Sequence, residues 1–449
     1  MSQSLAKDFN FRSLLKFAFP SIIMMIFMSL YSIVDGFFIA QYVDSMALSA
    51  ANIVYPAVSI LLAVGIMFGT GGSAVVAAKI GQGKQEEANR NFSALTLTTL
   101  IIGILGAVLG NLFCRQICSL LGATPVLMDY GTAYLRTILS FAPVCLLQAL
   151  FQSFFVTAGR PGLGLSLTVS AGITNMLLDY LFVVPLHLGV AGAALATGLG
   201  QCIPAVAGIL YFTFARKGLR FTRPEFSKGL LSTSCFNGSS EMVSNLSAAV
   251  VTYLFNMLML KFEGEIGVAA ITAILYGQFL FVALYLGYSI GVAPVFSFNY
   301  GRRRNKQRLI RLYRISIRFV VISSVIIALV AAFGSPVISA VFMQKGTYGF
   351  ELTRHGGYLF SIAYLFCGTN IVASGIFTAL SDGKTSALIS FLRTFVFIVL
   401  SALLLPLVLG TNGVWLSIPV AEFLTLFISV PKLSRYFRDP KVAPETEMR

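Results

Sequence analysis

Four carboxylates stand inside runs of otherwise apolar residues: Asp35, Asp179, Glu241 and Glu422. An ionised carboxylate at mid-membrane is disfavoured by roughly 2.5 to 3.5 kcal/mol on insertion scales, so a chain that keeps one there has a use or a partner for it. Asn175 precedes Asp179 by one helical turn, which puts an amide and an acceptor on one face, able to share a proton, a cation or a water. Asp35 follows Tyr31 by one turn, and if the helices carrying Asp35 and Asp179 adjoin, the two acids are placed to act as a protonation switch, binding and releasing a proton. Glu241 sits in the polar stretch Asn237, Gly238, Ser239, Ser240, Glu241, Ser244, Asn245. A helix this wet is expected to line a cavity with Glu241 and Asn245, where a carboxylate attracts cations. Arg393 is the one basic residue in a span and is expected to face that cavity or a buried acid, because an Arg facing lipid is unfavourable.

The elements that position these groups follow from composition. The chain has 449 residues, 57% hydrophobic and 11% charged, with 40 Gly and 39 Phe. About 25% charged residues is usual for a soluble domain, so a polytopic membrane protein is expected. A spanning helix needs about 20 mostly apolar residues. That criterion predicts twelve, near Phe17 to Ala40, Ala50 to Ala78, Phe92 to Phe113, Thr137 to Ala158, Gly162 to Val184 and Val190 to Ala215. The second six run near Leu230 to Leu260, Ile266 to Tyr300, Phe319 to Met343, Gly356 to Ser381, Thr385 to Gly410 and Val414 to Val430.

With the N-terminus inside, 26 Lys/Arg fall in cytoplasmic segments, while Arg115, Arg136, Lys261, Lys345 and Arg354 fall in outside loops. That asymmetry predicts both termini cytoplasmic in a plasma (inner) membrane. The net charge of +15 then needs no nucleic acid. The basic block from Arg302 to Arg318 reads as a loop held against an anionic leaflet.

The chain is also doubled. An offset of 221 superimposes Thr157 on Thr378, Gly162 on Gly383, Pro185 on Pro406, Gly189 on Gly410 and Gly192 on Gly413 without a gap. A neighbouring offset of 220 pairs Gly71 with Gly291 and Gly81 with Gly301. The expected fold is all-α: two six-helix lobes related by a pseudo-two-fold axis along the membrane normal, with a substrate cleft between them. The boundaries are 1–215 for the first lobe, 216–229 for a cytoplasmic linker, 230–431 for the second lobe and 432–449 for a cytoplasmic tail. In this register Asn175 and Asp179 match Val396 and Leu400, so only one lobe carries the polar pair. Arg393 matches Gly172, and Glu422 matches Gln201, a position that tolerates a neutral group.

Enzyme chemistry lacks its residues. The two histidines, His187 and His355, fall in predicted outside loops with no acid or cysteine at ligand spacing, so no metal site is expected. No Gly-rich loop with Lys and Ser/Thr offers a phosphate cradle, so ATP is not the expected energy source. The six cysteines read as small core residues.

These residues resemble the multidrug and toxic compound extrusion (MATE) transporters. The likeness rests on the two-lobe plan, on Tyr31-Ser32-Ile33-Val34-Asp35-Gly36, and on Ala158-Gly159-Arg160-Pro161 entering a helix with Asn175 and Asp179. The resemblance implies ion coupling at Asp35, Asn175 and Asp179 and a bending role for Pro20. Tyr31, Glu241, Asn245 and Arg393 are the expected substrate cavity. The expected activity is antiport by a monomer: an amphipathic, cationic small molecule leaves in exchange for protons, with sodium as the alternative ion and no cofactor. A flippase for lipid-linked saccharides is a further alternative, and it predicts a more basic central cavity than four acids and one Arg supply.

Overall fold

In bilayer hydrocarbon each backbone polar group must be satisfied within its own segment, and a chain of this composition answers with helices. A computed structural model describes residues 8–42, 45–123, 125–301 and 306–438, apart from the side chains of 31–42, 45–49, 52, 126, 249 and 306. The first lobe comprises α1 (Phe11–Tyr42), α2 (Ser45–Gly81), α3 (Gln85–Leu112), the short α4 (Cys114–Leu120), α5 (Pro125–Ser140), α6 (Ala142–Thr157), α7 (Pro161–Val183) and α8 (Gly189–Phe214). The second comprises α9 (Leu230–Gly301), α10 (Lys306–Phe342), α11 (Tyr348–Ser361), α12 (Tyr364–Ala379) and α13 (Gly383–Phe391). A π-helical turn at Leu392–Val396, α14 (Phe397–Leu409) and α15 (Thr411–Arg438) complete it. Among the described residues nine helices are long and apolar enough to cross a membrane, and two bent pairs each make one more. Gly264 divides α9 in two, which brings the spans to the expected twelve.

Two of these spans begin earlier than composition suggests. Leu127–Ser140 meets Ala142–Thr157 at 55°, and Tyr348–Ser361 meets Tyr364–Ala379 at 51°. Adding 221 to Leu127 and Ser140 gives Tyr348 and Ser361, so the bend is itself a repeated feature. The outer half-spans read as loops because they are amphipathic: α5 carries Asp129 and Arg136, and α11 carries Glu351, Arg354 and His355. Arg136, Arg354 and His355, expected in loops, are therefore helical, as is Arg115 on α4. His355 Nε2 lies 2.9 Å from Asn412 Oδ1, and the Ser335 hydroxyl donates to the Arg354 carbonyl at 2.8 Å.

The basic block also differs from a loop. α10 starts at Lys306, so its Arg308 to Arg318 part is helical, as suits a residue type with good helix propensity, and Arg308 pairs with Asp8 at 2.7 Å. Arg302, Arg303 and Arg304 lie outside the described residues. The inter-lobe linker is not loose either. Phe221 stacks on Phe92 with centroids 5.0 Å apart, the Thr222 amide donates to Ser93 Oγ at 2.9 Å, and Arg90 pairs with Glu225 at 2.7 Å. These contacts pin the linker onto the aromatic core of Phe92, Phe151, Phe154, Phe155 and Phe212.

At the turn inside α9, Gly264 has φ 65° and ψ −154°, a region that side chains with a Cβ essentially avoid. Nothing lies within 4 Å of a Cβ built there, so the objection to a side chain is conformational, not steric. Gly264→Ala is expected to destabilise the second lobe by about 1–3 kcal/mol, read as a lower melting temperature in detergent.

Candidate functional site

The lobes meet where α2 runs along α9 and α1 bridges α9 and α7. Helix 1 of the first lobe therefore adjoins the helix of Asn175 and Asp179, as an ion site shared with Asp35 requires. The side chains of Asp35 and Tyr31 lie outside the described residues. Asp179 is fully buried and Asn175 is 3% exposed. Pro20 lies inside α1.

Next to Asn175, α6, α7 and α8 enclose a cavity of about 20 Å³ lined by Gln148, Thr168, Ala171, Gly172, Asn175, Thr197, Gly200 and Gln201. That volume holds about one water-sized particle. Asn175 Nδ2 donates to Thr197 Oγ1 at 3.4 Å, and Asn175 Oδ1 and Gln201 Oε1 are buried with no protein hydrogen bond among the described residues. The helices are close enough that a Cβ at Gly200 would lie 2.9 Å from the Ala171 carbonyl oxygen. A small polar chamber walled by carbonyl and hydroxyl oxygens is suited to a water or a hard cation. Thr168, Thr197 and Gln201 are additions to the sequence reading. Thr197 and Gln201 stand one turn apart in a Gly/Ala-rich helix, and that spacing was the signal for them.

The second lobe answers the same place with charge. Arg393 Nη1 donates to Glu422 Oε1 at 3.2 Å, and Asn370 Nδ2 donates to Glu422 Oε2 at 2.7 Å and to the Glu422 carbonyl at 2.8 Å. Ser429 closes the chain by donating to Asn370 Oδ1 at 2.6 Å. Arg393 thus has the buried acid partner that its position required, and it is absent from the walls of the cavity between the lobes. It reaches Glu422 from the π-helical turn, which adds a residue to the turn and re-aims the side chains around it.

That inter-lobe cavity, about 30 Å³, is lined by Thr70, Ser73, Ser153, Glu241, Ser289, Ile290, Ala293, Gly375 and Thr378. Glu241 is its one carboxylate. Asn245 is one turn along the same helix and donates to the Glu241 carbonyl at 2.8 Å, so its amide is turned along the helix. A hydroxyl network backs the cavity: Ser240 Oγ lies 3.3 Å from Thr378 Oγ1, which lies 2.7 Å from Ser386 Oγ. Among the described residues no group of three or more His, Cys, Asp and Glu side chains is gathered to hold a metal ion.

Two lobes of six spans, a buried acid in one and a carboxylate-lined cavity at the seam, define a membrane transporter architecture. The MatE family model matches the chain twice, at residues 20–181 and 242–403, and the chain belongs to that family, the multidrug and toxic compound extrusion transporters. The multidrug export protein MepA of Staphylococcus haemolyticus (strain JCSC1435) is 24% identical over 437 residues, covering 94% of this chain and 92% of that protein. MepA of Staphylococcus aureus (strain MRSA252) is 22% identical over 432 residues, covering 92% and 91%. Among solved structures, an outward-facing multidrug resistance MATE family transporter of the MOP superfamily superimposes with a TM-score of 0.90 at 20% identity, covering 97% of each chain. A MOP superfamily transporter from Pyrococcus furiosus, described with a reversed polarity of its binding pocket, gives 0.88 at 20% identity over 97% of this chain and 98% of that one.

Proposed function

We propose that the chain is a secondary antiporter that exports amphipathic, cationic organic compounds in exchange for protons, with both termini cytoplasmic. The observation that carries the reading is the placement of Glu241: a single carboxylate in the cavity between the lobes, among hydroxyls and apolar groups, attracts a cation while leaving its hydrocarbon parts weakly specified. The resemblance to multidrug export proteins supports the same substrate class. Asp179 and Asn175, buried in the first lobe, supply the ion step.

In the outward-facing state the coupling ion loads at Asp179 and Asp35. Neutralising these charges changes the packing of α1 against α7 and α9, which loosens the substrate held at the seam. In the inward-facing state the ion leaves and the cavity reloads. In a one-for-one exchange of a monovalent cation for a coupling ion no net charge crosses, so the ion's own concentration gradient drives export, about 1.4 kcal/mol for each tenfold. Sodium is the second reading, favoured by the oxygen-lined chamber beside Asn175. The test is efflux of a fluorescent cation from proteoliposomes under an imposed proton or sodium gradient. Glu241→Gln is expected to weaken the apparent affinity for cationic dyes by about tenfold, the scale of one lost charge interaction, while neutral substrates are affected less. Equal effects on both classes would remove the electrostatic role of Glu241.

A further inference from the structure

The two lobes solve one position in two ways. In the first, Gly172 and Gln201 face a cavity together with Asn175. In the second, the residues at the same repeat positions are Arg393 and Glu422, joined at 3.2 Å, with side chains 12% and 5% exposed. The guanidinium therefore stands where the first lobe, with glycine, leaves its chamber. The acid that holds it stands where the first lobe has a neutral amide oxygen. Asn370, two hydrogen bonds to Glu422, holds the acid in place.

We propose that Arg393 is a tethered cation permanently filling the second lobe's counterpart of the first-lobe ion chamber, so that each chain carries one exchangeable cation site and not two. This rests on the first-lobe chamber being the coupling site. The second lobe keeps the electrostatics of a loaded ion site throughout the cycle, because its cation is covalently part of the chain and cannot leave with a gradient. Sister bundles that divide in this way, one exchanging and one held loaded, need only one ion per substrate to bias the seam between them.

The test uses Arg393→Gly, which gives the second lobe the residue found at Gly172. Removing one partner of a buried pair leaves Glu422 facing a cavity, and transport is expected to fall by about tenfold or more. Millimolar guanidinium chloride is expected to restore transport and to raise the melting temperature of this variant, and to do neither for the wild type. The double variant Arg393→Gly/Glu422→Gln, matching the first lobe at both positions, is expected to transport without guanidinium. Single and double variants that transport alike, together with no guanidinium-dependent rise in melting temperature, would overturn the proposal. If the wild type moves no substrate under any gradient, the antiport reading fails, and the melting-temperature comparison still decides whether the second lobe needs a cation at Arg393. Where Arg393→Gly does not fold in the absence of guanidinium, recovery of folded protein on adding it supports the proposal and failure to recover with it opposes it.

Discussion

Asp179→Asn is expected to reduce gradient-driven efflux about tenfold or more while leaving the protein folded and in the membrane. Asparagine keeps the shape of the side chain and one acceptor oxygen, puts an NH2 donor in place of the other, and cannot take up and lose charge. The side chain is fully buried on α7, one turn from Asn175, so the loss falls on ion exchange within the lobe and not on surface electrostatics. Stability is expected to hold or rise, because an acid buried amid hydrocarbon costs folding free energy when ionised. The sister position, Leu400, is apolar and half-exposed, so the six-helix bundle does not require a carboxylate there to form. The measurement is dye efflux from proteoliposomes with separate proton and sodium gradients, read beside the melting temperature. If the variant pumps normally, the coupling site lies elsewhere. If sodium alone drives the wild type, the coupling ion is sodium and Asp179 remains its ligand.

Much of the architecture was legible from residue types alone. Twelve spans follow from apolar runs, and the doubling follows from registered Pro, Gly and Thr pairs such as Thr157 with Thr378. The half-spans α5 and α11 were not legible, because their charged faces make them look like loops when hydropathy is averaged over a window. The seam helices were legible as helices, but not which of their glycines meet across the lobes, since that depends on how the two bundles are rotated against each other. In the site, Asn175 stood out as an amide one turn from an acid, and Asp179 because charge in an apolar run is costly and visible. Arg393 was visible for the same reason, but its partner was not. Glu422 lies on another helix, and the π-helical turn that aims the guanidinium carries no signal in Leu392, Arg393, Thr394, Phe395 and Val396. Thr168 is neutral, and only its place in the cavity wall distinguishes it from an ordinary helix-packing residue.

The other large effect concerns closure of the seam. A Cβ built at Gly81 would lie 2.0 Å from the Phe298 carbonyl oxygen, and one at Gly301 would lie 2.0 Å from the Ala78 carbonyl oxygen. These are the same contact seen from the two sides of the pseudo-two-fold, since 220 carries Gly81 to Gly301 and Ala78 to Phe298. A third contact strengthens the seam, where Gly71 meets the Ser234 carbonyl oxygen and the Gly238 backbone nitrogen at 2.0 and 2.5 Å. At each of these places only glycine allows the backbones of α2 and α9 to touch, and neither backbone is a flexible side-chain end that can swing aside. Gly81→Ala/Gly301→Ala is therefore expected to hold the lobes apart at the end of the molecule where α2 and α9 terminate. Substrate turnover should fall about tenfold or more, because a cycle that cannot close one end cannot alternate. Gly162→Ala is the control: nothing lies within 4 Å of its Cβ, and it should transport as wild type. The readout that separates lost closure from lost folding is the labelling of a cysteine at Ser289, in the inter-lobe cavity, in a cysteine-free background. A membrane-impermeant thiol reagent should label it faster in the double variant from the side where α2 and α9 end, and no faster from the other. Unchanged labelling from both sides, with transport lost, would assign the glycines to packing and not to the gate.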